Sequence, residues 1–304
     1  MSHVIALLVG LHLVAGQSGA TWRDPSPHQV RVVTVDSSVR LEVLDWAGTG
    51  RPILFVGCYL RGHVYDDIAP KLTDQFHVYA VTRRGVGASD RPAKGYEPQR
   101  RADDILEVMG SVGMQKPILI GNSCGGDILD TLGAQHPDRV GGLVYLDAAM
   151  DPTLTMSDYG APPVDWAHLP AAVGNSTPVP FPEAETRQWA ERPLDPAIRQ
   201  AIVDENKVRP DYARIRVPVL AIYRTTTMEQ ALKDRPPSND EERAALNQTD
   251  AFGRAMLSKW QRDLRAGVPT ARIVELPGAN LYMFLSNEAD ILREVRAFAA
   301  TLQR

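Results

Sequence analysis

A serine flanked by glycines is the residue of this sequence best suited to covalent chemistry. Gly121, Ser123 and Gly125 form a Gly-x-Ser-x-Gly motif that directly follows the apolar run of residues 118–120 and precedes a segment with helical spacing. A tight strand-to-helix turn holds such a serine in a strained backbone conformation, and the two glycines let the chain pass closely. The motif predicts Ser123 as the nucleophile of an acyl transfer, and the alternative interpretation is a plain glycine-rich turn.

The elements around this serine alternate between strand and helix patterns. Apolar or alternating runs predict strands at residues 30–35, 41–45, 52–56, 76–82, 117–121, 141–147, 217–223 and 272–276. Apolar residues at helical spacing predict helices at residues 66–72, 99–112, 125–136, 240–265 and 287–302. Solid apolar strands that alternate with helices predict a mostly parallel sheet with helices on both faces.

A proline-rich stretch interrupts this alternation. Residues 151–182 contain neither a strand run nor a clean helical stripe, and the piece that follows is more helical. We predict a cap at residues 151–212, inserted between the two parts of the core, 27–150 and 213–304. Open sheets bind ligands at the carboxyl ends of their strands, where this cap is expected to lie. Apolar cap residues indicate a largely apolar cleft for a small molecule; they are Trp166, Leu169, Val173, Val179, Phe181 and Trp189.

Together these features resemble the α/β-hydrolase superfamily, over nearly all of the chain after residue 29. Besides the Ser123 motif, residues 82–92 resemble the family's loop after its fourth strand, residues 143–147 its sixth strand and residues 275–280 its final loop. The resemblance implies an α/β-hydrolase fold, with an eight-stranded, mostly parallel sheet and an inserted cap. It also implies a catalytic triad in the chain order serine, acid, histidine.

Compared with this family, the chain lacks the histidine of the triad. The family's histidine falls in the loop after the last strand, and the resemblance places Leu281 at that position. Leucine neither accepts nor donates a proton, and the last histidine of the chain is His168. The resemblance offers Asp147, at the end of the sixth strand, as the acid; the alternative role of Asp147 is to cap the following turn.

The resemblance also implies an oxyanion hole, which needs two backbone N–H groups aimed at the developing alkoxide. Cys124, the residue after the serine, would supply one, and Cys58, in the loop after the third strand, the other. The sequence has only these two cysteines. N–H groups that converge on one atom bring their Cα atoms close, so we hypothesise a Cys58–Cys124 disulfide. Two buried free thiols, or one thiol acting as a nucleophile, are the alternatives.

Two other histidines are candidates to replace the missing base. His63, on the oxyanion loop, and His168, in the cap, could face Ser123, and ordinary hydrogen-bonding or surface roles are the alternative for both. No group of histidine, cysteine and carboxylate residues has the spacing of a zinc site. We therefore predict neither a metal nor another cofactor.

Composition and the amino-terminal sequence indicate what kind of protein this is, which partners it is expected to lack and where it is expected to be located. The chain has 304 residues, of which 44% are hydrophobic and 23% charged, a globular profile. The formal net charge of −4 and the absence of a basic run argue against a nucleic-acid partner. A short apolar run within residues 1–20, followed by small residues, predicts a signal peptide and a secreted or periplasmic location. A buried N-terminal helix and a misassigned start of the chain are the alternatives. That run is too short to cross a bilayer, and we expect no stable membrane span.

Three functions are compatible with these observations. The first is a serine hydrolase that acts on a small ester or related acyl substrate through Ser123, with a triad left incomplete by Leu281. The second is a catalytically silent fold that binds an apolar ligand beneath the cap. The third is a non-hydrolytic enzyme that uses the same pocket. The sequence does not indicate an oligomeric state.

Overall fold

The computed structural model describes residues 22–169, 180–205, 207–225 and 236–302. The predicted signal peptide at residues 1–20 and the cap residues Val173 and Val179 lie outside these ranges. Within the described ranges, no helix combines the length and the apolar character needed to cross a membrane.

An eight-stranded sheet forms the centre of the molecule, in the order β1-β2-β4-β3-β5-β6-β7-β8. β2 is antiparallel to β1 and β4, and the other neighbours run parallel. The predicted fold class is confirmed, with each expected strand present. The strands are β1 (Gln29–Val35), β2 (Val39–Asp45), β3 (Arg51–Val56), β4 (Phe76–Thr82), β5 (Ile118–Asn122), β6 (Gly142–Leu146), β7 (Val219–Thr225) and β8 (Arg272–Pro277).

The burial of the strands explains their sequence patterns. Every residue of β5 is buried, because this central strand is covered on both faces. Successive side chains of a strand point to opposite faces, so Leu119 joins one hydrophobic core while Ile118 and Ile120 join the other. β1 lies at the edge of the sheet, and its Val32 is 66% exposed. Solid apolar runs therefore mark the strands that are covered on both faces.

The helices flank this sheet, and one predicted helix is wrong. Residues 66–72 do not form an α-helix; two short 3₁₀ helices, Gly62–Tyr65 and Ala69–Leu72, occupy this region. Pro70 contributes to the difference because it lacks the N–H group that a continuing helix would use. Among the described residues, the α-helices are α1 (Pro98–Ser111), α2 (Gly126–Gln135), α3 (Glu183–Glu191), α4 (Pro196–Glu205), α5 (Asp240–Gly267), α6 (Met283–Ser286) and α7 (Glu288–Thr301).

The segment between β6 and β7 carries the cap helices α3 and α4. Helix α3 packs on the loop after β3 through Arg61, whose Nη2 donates to the Arg192 carbonyl oxygen at 2.7 Å. The Arg61 guanidinium also lies 4.2 Å from the ring centroid of Trp189. These contacts hold helix α3 against the loop that follows the carboxyl end of β3, the loop that contains Cys58.

Candidate active site

Ser123 occupies the turn between β5 and α2. Its φ of 52° is the left-handed backbone conformation expected of a nucleophile elbow. The 3₁₀ helix Ser123–Gly125 follows directly and leads into α2. A Cβ atom added to Gly125 would stand 2.5 Å from the Val56 carbonyl oxygen. The motif needs glycine at this position because the elbow passes so close to the end of β3.

A disulfide joins Cys58 and Cys124, whose Cα atoms are 5.0 Å apart. The hypothesised bridge is therefore present in the structure. Cys124 lies in the first turn of the 3₁₀ helix after Ser123, where backbone N–H groups have no partner within the helix. The bridge fixes the loop after β3 to the elbow, so both cysteines named for the oxyanion hole lie at one place.

Asp147 lies at the carboxyl end of β6, the strand next to β5. Its φ is 50°, and its carboxylate accepts a hydrogen bond from Arg224 Nε at 2.7 Å. The residue is 5% exposed. The carboxylate offered as the acid of a triad is therefore paired with a guanidinium rather than an imidazole.

Sequence reasoning missed Arg224 as a site residue. β6 and β7 are parallel, with Leu146 opposite Ile222, which brings the residues after each pair to the same edge of the sheet. The proximity of Arg224 to Asp147 therefore follows from the order and register of β6 and β7, which the sequence pattern alone does not specify.

Asn122 connects Leu281 to the elbow. Its Nδ2 donates to the Leu281 carbonyl oxygen at 3.0 Å and to the Leu146 carbonyl oxygen at 3.0 Å. Asn122 directly precedes Ser123, so one amide links the elbow, the end of β6 and the loop after β8. The structure brings the backbone of Leu281 to the elbow, but the leucine side chain supplies no proton acceptor. Asn122 is a second residue that sequence reasoning missed.

His63 is unsuited to act as the base for Ser123, contrary to the alternative considered from the sequence. Its Nδ1 lies 3.1 Å from Asp66 Oδ2, and its Nε2 lies 3.8 Å from Glu42 Oε1. Burial lowers the pKa of His63, but hydrogen bonds to Asp66 and Glu42 outweigh burial and raise the pKa from 6.5 to about 10. Both ring nitrogens of His63 therefore face carboxylates, which argues against its use as the base for Ser123.

The position of His168 also argues against its use as the base for Ser123. It lies on the surface of the cap with its side chain 50% exposed, and its Nδ1 is 2.7 Å from Asp165 Oδ2. An exposed pair of this kind is typical of a solvated surface. Neither histidine considered from the sequence therefore supplies the missing imidazole.

Arg83 is a third residue of interest that the sequence did not single out. It is 4% exposed, and its Nη1 donates to the Cys58 carbonyl oxygen at 3.3 Å. Its Nε and Nη2 are buried without a hydrogen-bond partner among the described residues. Burial lowers the pKa of Arg83 from 12.5 to about 9, and the neighbouring Arg101 acts in the same direction. The oxyanion loop therefore contacts a buried cation with unused donors.

A cleft of about 200 Å³ opens beside the elbow. Phe181, expected to line such a pocket, instead packs on Tyr282 with ring centroids 4.9 Å apart, and Trp166 is 48% exposed. The pocket next to Ser123 is thus lined by other residues than those expected from the cap, and these include the charged residues Asp127, Asp130 and Arg209. The lining includes Ser123, Cys124, Ala148, Met150, Pro152 and Val208.

Comparison with known sequences identifies related hydrolases. Residues 51–255 match the family described as the alpha/beta hydrolase fold. The chain is 36% identical over 101 residues to the 2-(acetamidomethylene)succinate hydrolase of Mesorhizobium japonicum, covering 33% of this chain and 36% of that enzyme. It is 32% identical over 155 residues to the haloalkane dehalogenase 2 of Mycobacterium tuberculosis, covering 48% of this chain and 54% of that protein. The matches therefore span about half, or less, of the length of these relatives.

Solved structures resemble the chain over a longer range. The E-2-(acetamidomethylene)succinate hydrolase superposes with a TM-score of 0.62 and 23% identity, over 90% of this chain and 100% of that one. A bromoperoxidase from Bacillus anthracis superposes with a TM-score of 0.66 and 15% identity, over 90% of this chain and 100% of that one. At these identities the likeness is one of fold.

Proposed function

Because the chain belongs to the α/β hydrolase fold family, we propose that it acts as a serine hydrolase on a small ester or related acyl compound. Ser123 is the nucleophile, and the triad lacks its histidine. The elbow carries this proposal, since Ser123 has a φ of 52° and adjoins the bridged residues Cys58 and Cys124. The backbone N–H groups of these cysteines are the proposed oxyanion donors.

The missing base makes turnover slow. A positioned general base contributes roughly 10²- to 10⁴-fold to such reactions. Without a complete triad, the oxyanion hole and substrate binding alone leave a residual acceleration of roughly 10³- to 10⁴-fold over water. Ser123 is therefore expected to turn over activated esters slowly.

The pairing of Asp147 with Arg224 favours a second candidate. One oxygen of this carboxylate, Oδ2, already accepts a hydrogen bond from Arg224 Nε, at 2.7 Å, so a guanidinium and not an imidazole neutralises Asp147. In the second candidate the pocket binds a ligand without hydrolysing it, or serves a non-hydrolytic reaction, and Ser123 is kept as a hydroxyl of the pocket.

Hydrolysis of a short-chain activated ester tests the first candidate. The wild type is compared with Ser123→Ala and Leu281→His, and Ala289→His is the control because Ala289 is exposed on α7 nearby in the sequence. We expect slow turnover that Ser123→Ala abolishes and that Leu281→His increases by about 10²-fold or more. Wild-type turnover that survives Ser123→Ala would exclude Ser123 as the nucleophile.

An inert wild type that gains activity only through Leu281→His favours the second candidate. Adding Arg224→Gln to Leu281→His is expected to increase the gain, because it removes the guanidinium that competes with the new imidazole for Asp147. The Ala289→His control should match the wild type in both backgrounds.

The bound compound is proposed to be small and largely apolar. Ala148, Met150 and Val208 give apolar atoms to the cleft beside Ser123, whose lining also contains charged residues, and its volume of about 200 Å³ suits a short acyl chain. A series of esters of increasing acyl length tests this, with rates expected to fall once the chain exceeds the cleft.

A secreted or periplasmic location is likewise a proposal. The Cys58–Cys124 bridge supports it, because disulfides persist in oxidising compartments and are rare in the cytosol. Alkylation of free thiols during isolation, followed by mass spectrometry, is expected to label neither cysteine. Labelling of both would argue for a reducing compartment.

A further inference from the structure

The segment that leads into β1 meets the loop after β3 at a cluster of four side chains. Asp24 and His28 come from the segment before β1, and His63 and Asp66 come from the first 3₁₀ helix and the residue after it. One potential ligand atom from each of the four lies within 4.8 Å of the other three. Residues distant in sequence thus present two imidazoles and two carboxylates to a common centre.

Three of these four side chains are buried, that of Asp24 is 21% exposed, and the cluster is incompletely hydrogen-bonded. The side chains of His28, His63 and Asp66 are 3%, 7% and 6% exposed. His28 Nδ1, Asp24 Oδ2 and Asp66 Oδ1 make no hydrogen bond with any described residue. Buried polar atoms nearly always have a partner, and an ion is one of the partners that explains such exceptions.

Each unpartnered atom lies close to a ring nitrogen or a carboxylate oxygen of the same cluster. His28 Nδ1 is 3.2 Å from Asp66 Oδ1, and His63 Nδ1 is 3.0 Å from Asp24 Oδ2. The other oxygen of Asp24 accepts from the Ser26 N–H at 2.9 Å, which orients Oδ2 towards the cluster. Two ring nitrogens and two carboxylate oxygens thus converge on one centre, where a cation shared among them would provide the partners that the unbonded atoms lack.

Residues around the cluster complete the arrangement expected of a metal site. A metal-bound histidine usually directs its second ring nitrogen to a carboxylate, which fixes the ring. His63 does this, because its Nε2 lies 3.8 Å from Glu42 Oε1 while its Nδ1 faces Asp24 and Asp66. Glu42 is held in turn by the Thr82 hydroxyl at 2.6 Å.

From this geometry we propose that Asp24, His28, His63 and Asp66 bind one divalent transition-metal ion of the zinc type. Two imidazoles and two carboxylates form a ligand set that zinc accepts, and the two carboxylates balance the charge of a divalent cation. Four protein ligands leave no open position in tetrahedral coordination, so the site is structural. The ion would take the place of the proton on His63 Nδ1, which is released to solvent on binding, and with it the hydrogen bond to Asp66 Oδ2 at 3.1 Å.

Titration of the chelator-treated full chain with ZnCl₂, followed by calorimetry and thermal denaturation, tests the proposal. We expect one equivalent to bind and the midpoint of thermal unfolding to rise by several degrees. His28→Gln and Asp66→Asn should each weaken binding by about 10-fold or more. The control variant His168→Gln disrupts an exposed histidine–aspartate pair of the cap and should bind as the wild type does.

Co²⁺ binding by the wild type keeps the test independent of how the variants fold. We expect an intense tetrahedral d–d absorption that one equivalent of Zn²⁺ displaces. The proposal is overturned if the wild type shows no saturable Zn²⁺ binding and no such absorption. Zn²⁺ affinity that is unchanged in folded His28→Gln and Asp66→Asn would also overturn it, because the ion would then bind elsewhere.

Discussion

Removal of the Cys58–Cys124 disulfide is expected to lower the free energy of unfolding by about 4 kcal/mol. The bridge joins residues 66 positions apart in the sequence. Closing a loop of that length removes roughly 4 kcal/mol of conformational freedom from the unfolded chain, in the entropic description of cross-links. Domains are stable by only about 5–15 kcal/mol in total, so this bridge would account for a large part of the stability.

Urea unfolding measures this effect. The oxidised wild type is compared with the same protein after reduction and with the double variant Cys58→Ala/Cys124→Ala. For a slope of about 2–3 kcal/mol per molar urea, a loss of 4 kcal/mol lowers the midpoint by about 1.5 M. The double variant is the matched control, because the chain has no other cysteine and reductant should leave its midpoint unchanged.

Two results would refute this reasoning. The first is the finding of two free thiols in the purified, unreduced protein, which would mean that the bridge does not form. The second is an intact bridge whose reduction changes the free energy of unfolding by less than about 1 kcal/mol, which would mean that the unfolded chain is already restricted near this loop.

Three further changes probe buried groups near the site. Arg83→Met should raise the free energy of unfolding by about 1–3 kcal/mol, because it removes a buried guanidinium with two nitrogens that have no partner among the described residues; an unchanged or lower urea midpoint would contradict this. Burial raises the pKa of Glu185 from 4.5 to about 7 although Arg61 opposes the shift, so the folded state binds the proton more tightly than the unfolded state. The free energy of unfolding of the wild type should therefore fall by up to about 3 kcal/mol relative to that of Glu185→Gln as the pH rises from about 4.5 to 7. Parallel curves of unfolding free energy against pH for the two proteins would contradict this. Gly126→Ala should destabilise the fold by about 2 kcal/mol or more, since the new methyl group overlaps the Ala148 carbonyl oxygen, and a wild-type urea midpoint would count against that overlap.

The sheet and the elbow could be predicted because their signals are local. Each strand corresponds to a short apolar or alternating run in the sequence, and the observed strands begin and end close to the expected residues. The backbone conformation of Ser123 follows from the glycines on either side of it. The prediction of a helix at residues 66–72 was wrong because it relied on the spacing of apolar residues and did not consider Pro70.

The rest of the site depends on contacts between distant segments. Arg224 pairs with Asp147 across 77 positions, and Asn122 reaches Leu281 across 159. The environment of His63 is set by Asp24 and by a carboxylate on β2, neither of which lies near it in the sequence. Strand order and loop packing fix such pairings. A residue pattern within one short segment of the sequence does not reveal them.

Leu281 is held at the elbow through its backbone carbonyl oxygen, and its side chain takes no part in that hydrogen bond. Exchange of the residue at this position therefore leaves the support around Ser123 in place. The identity of the side chain at position 281 and the fold are therefore separable. The same separation allows a single substitution, Leu281→His, to place a proton acceptor there while the backbone contact is kept.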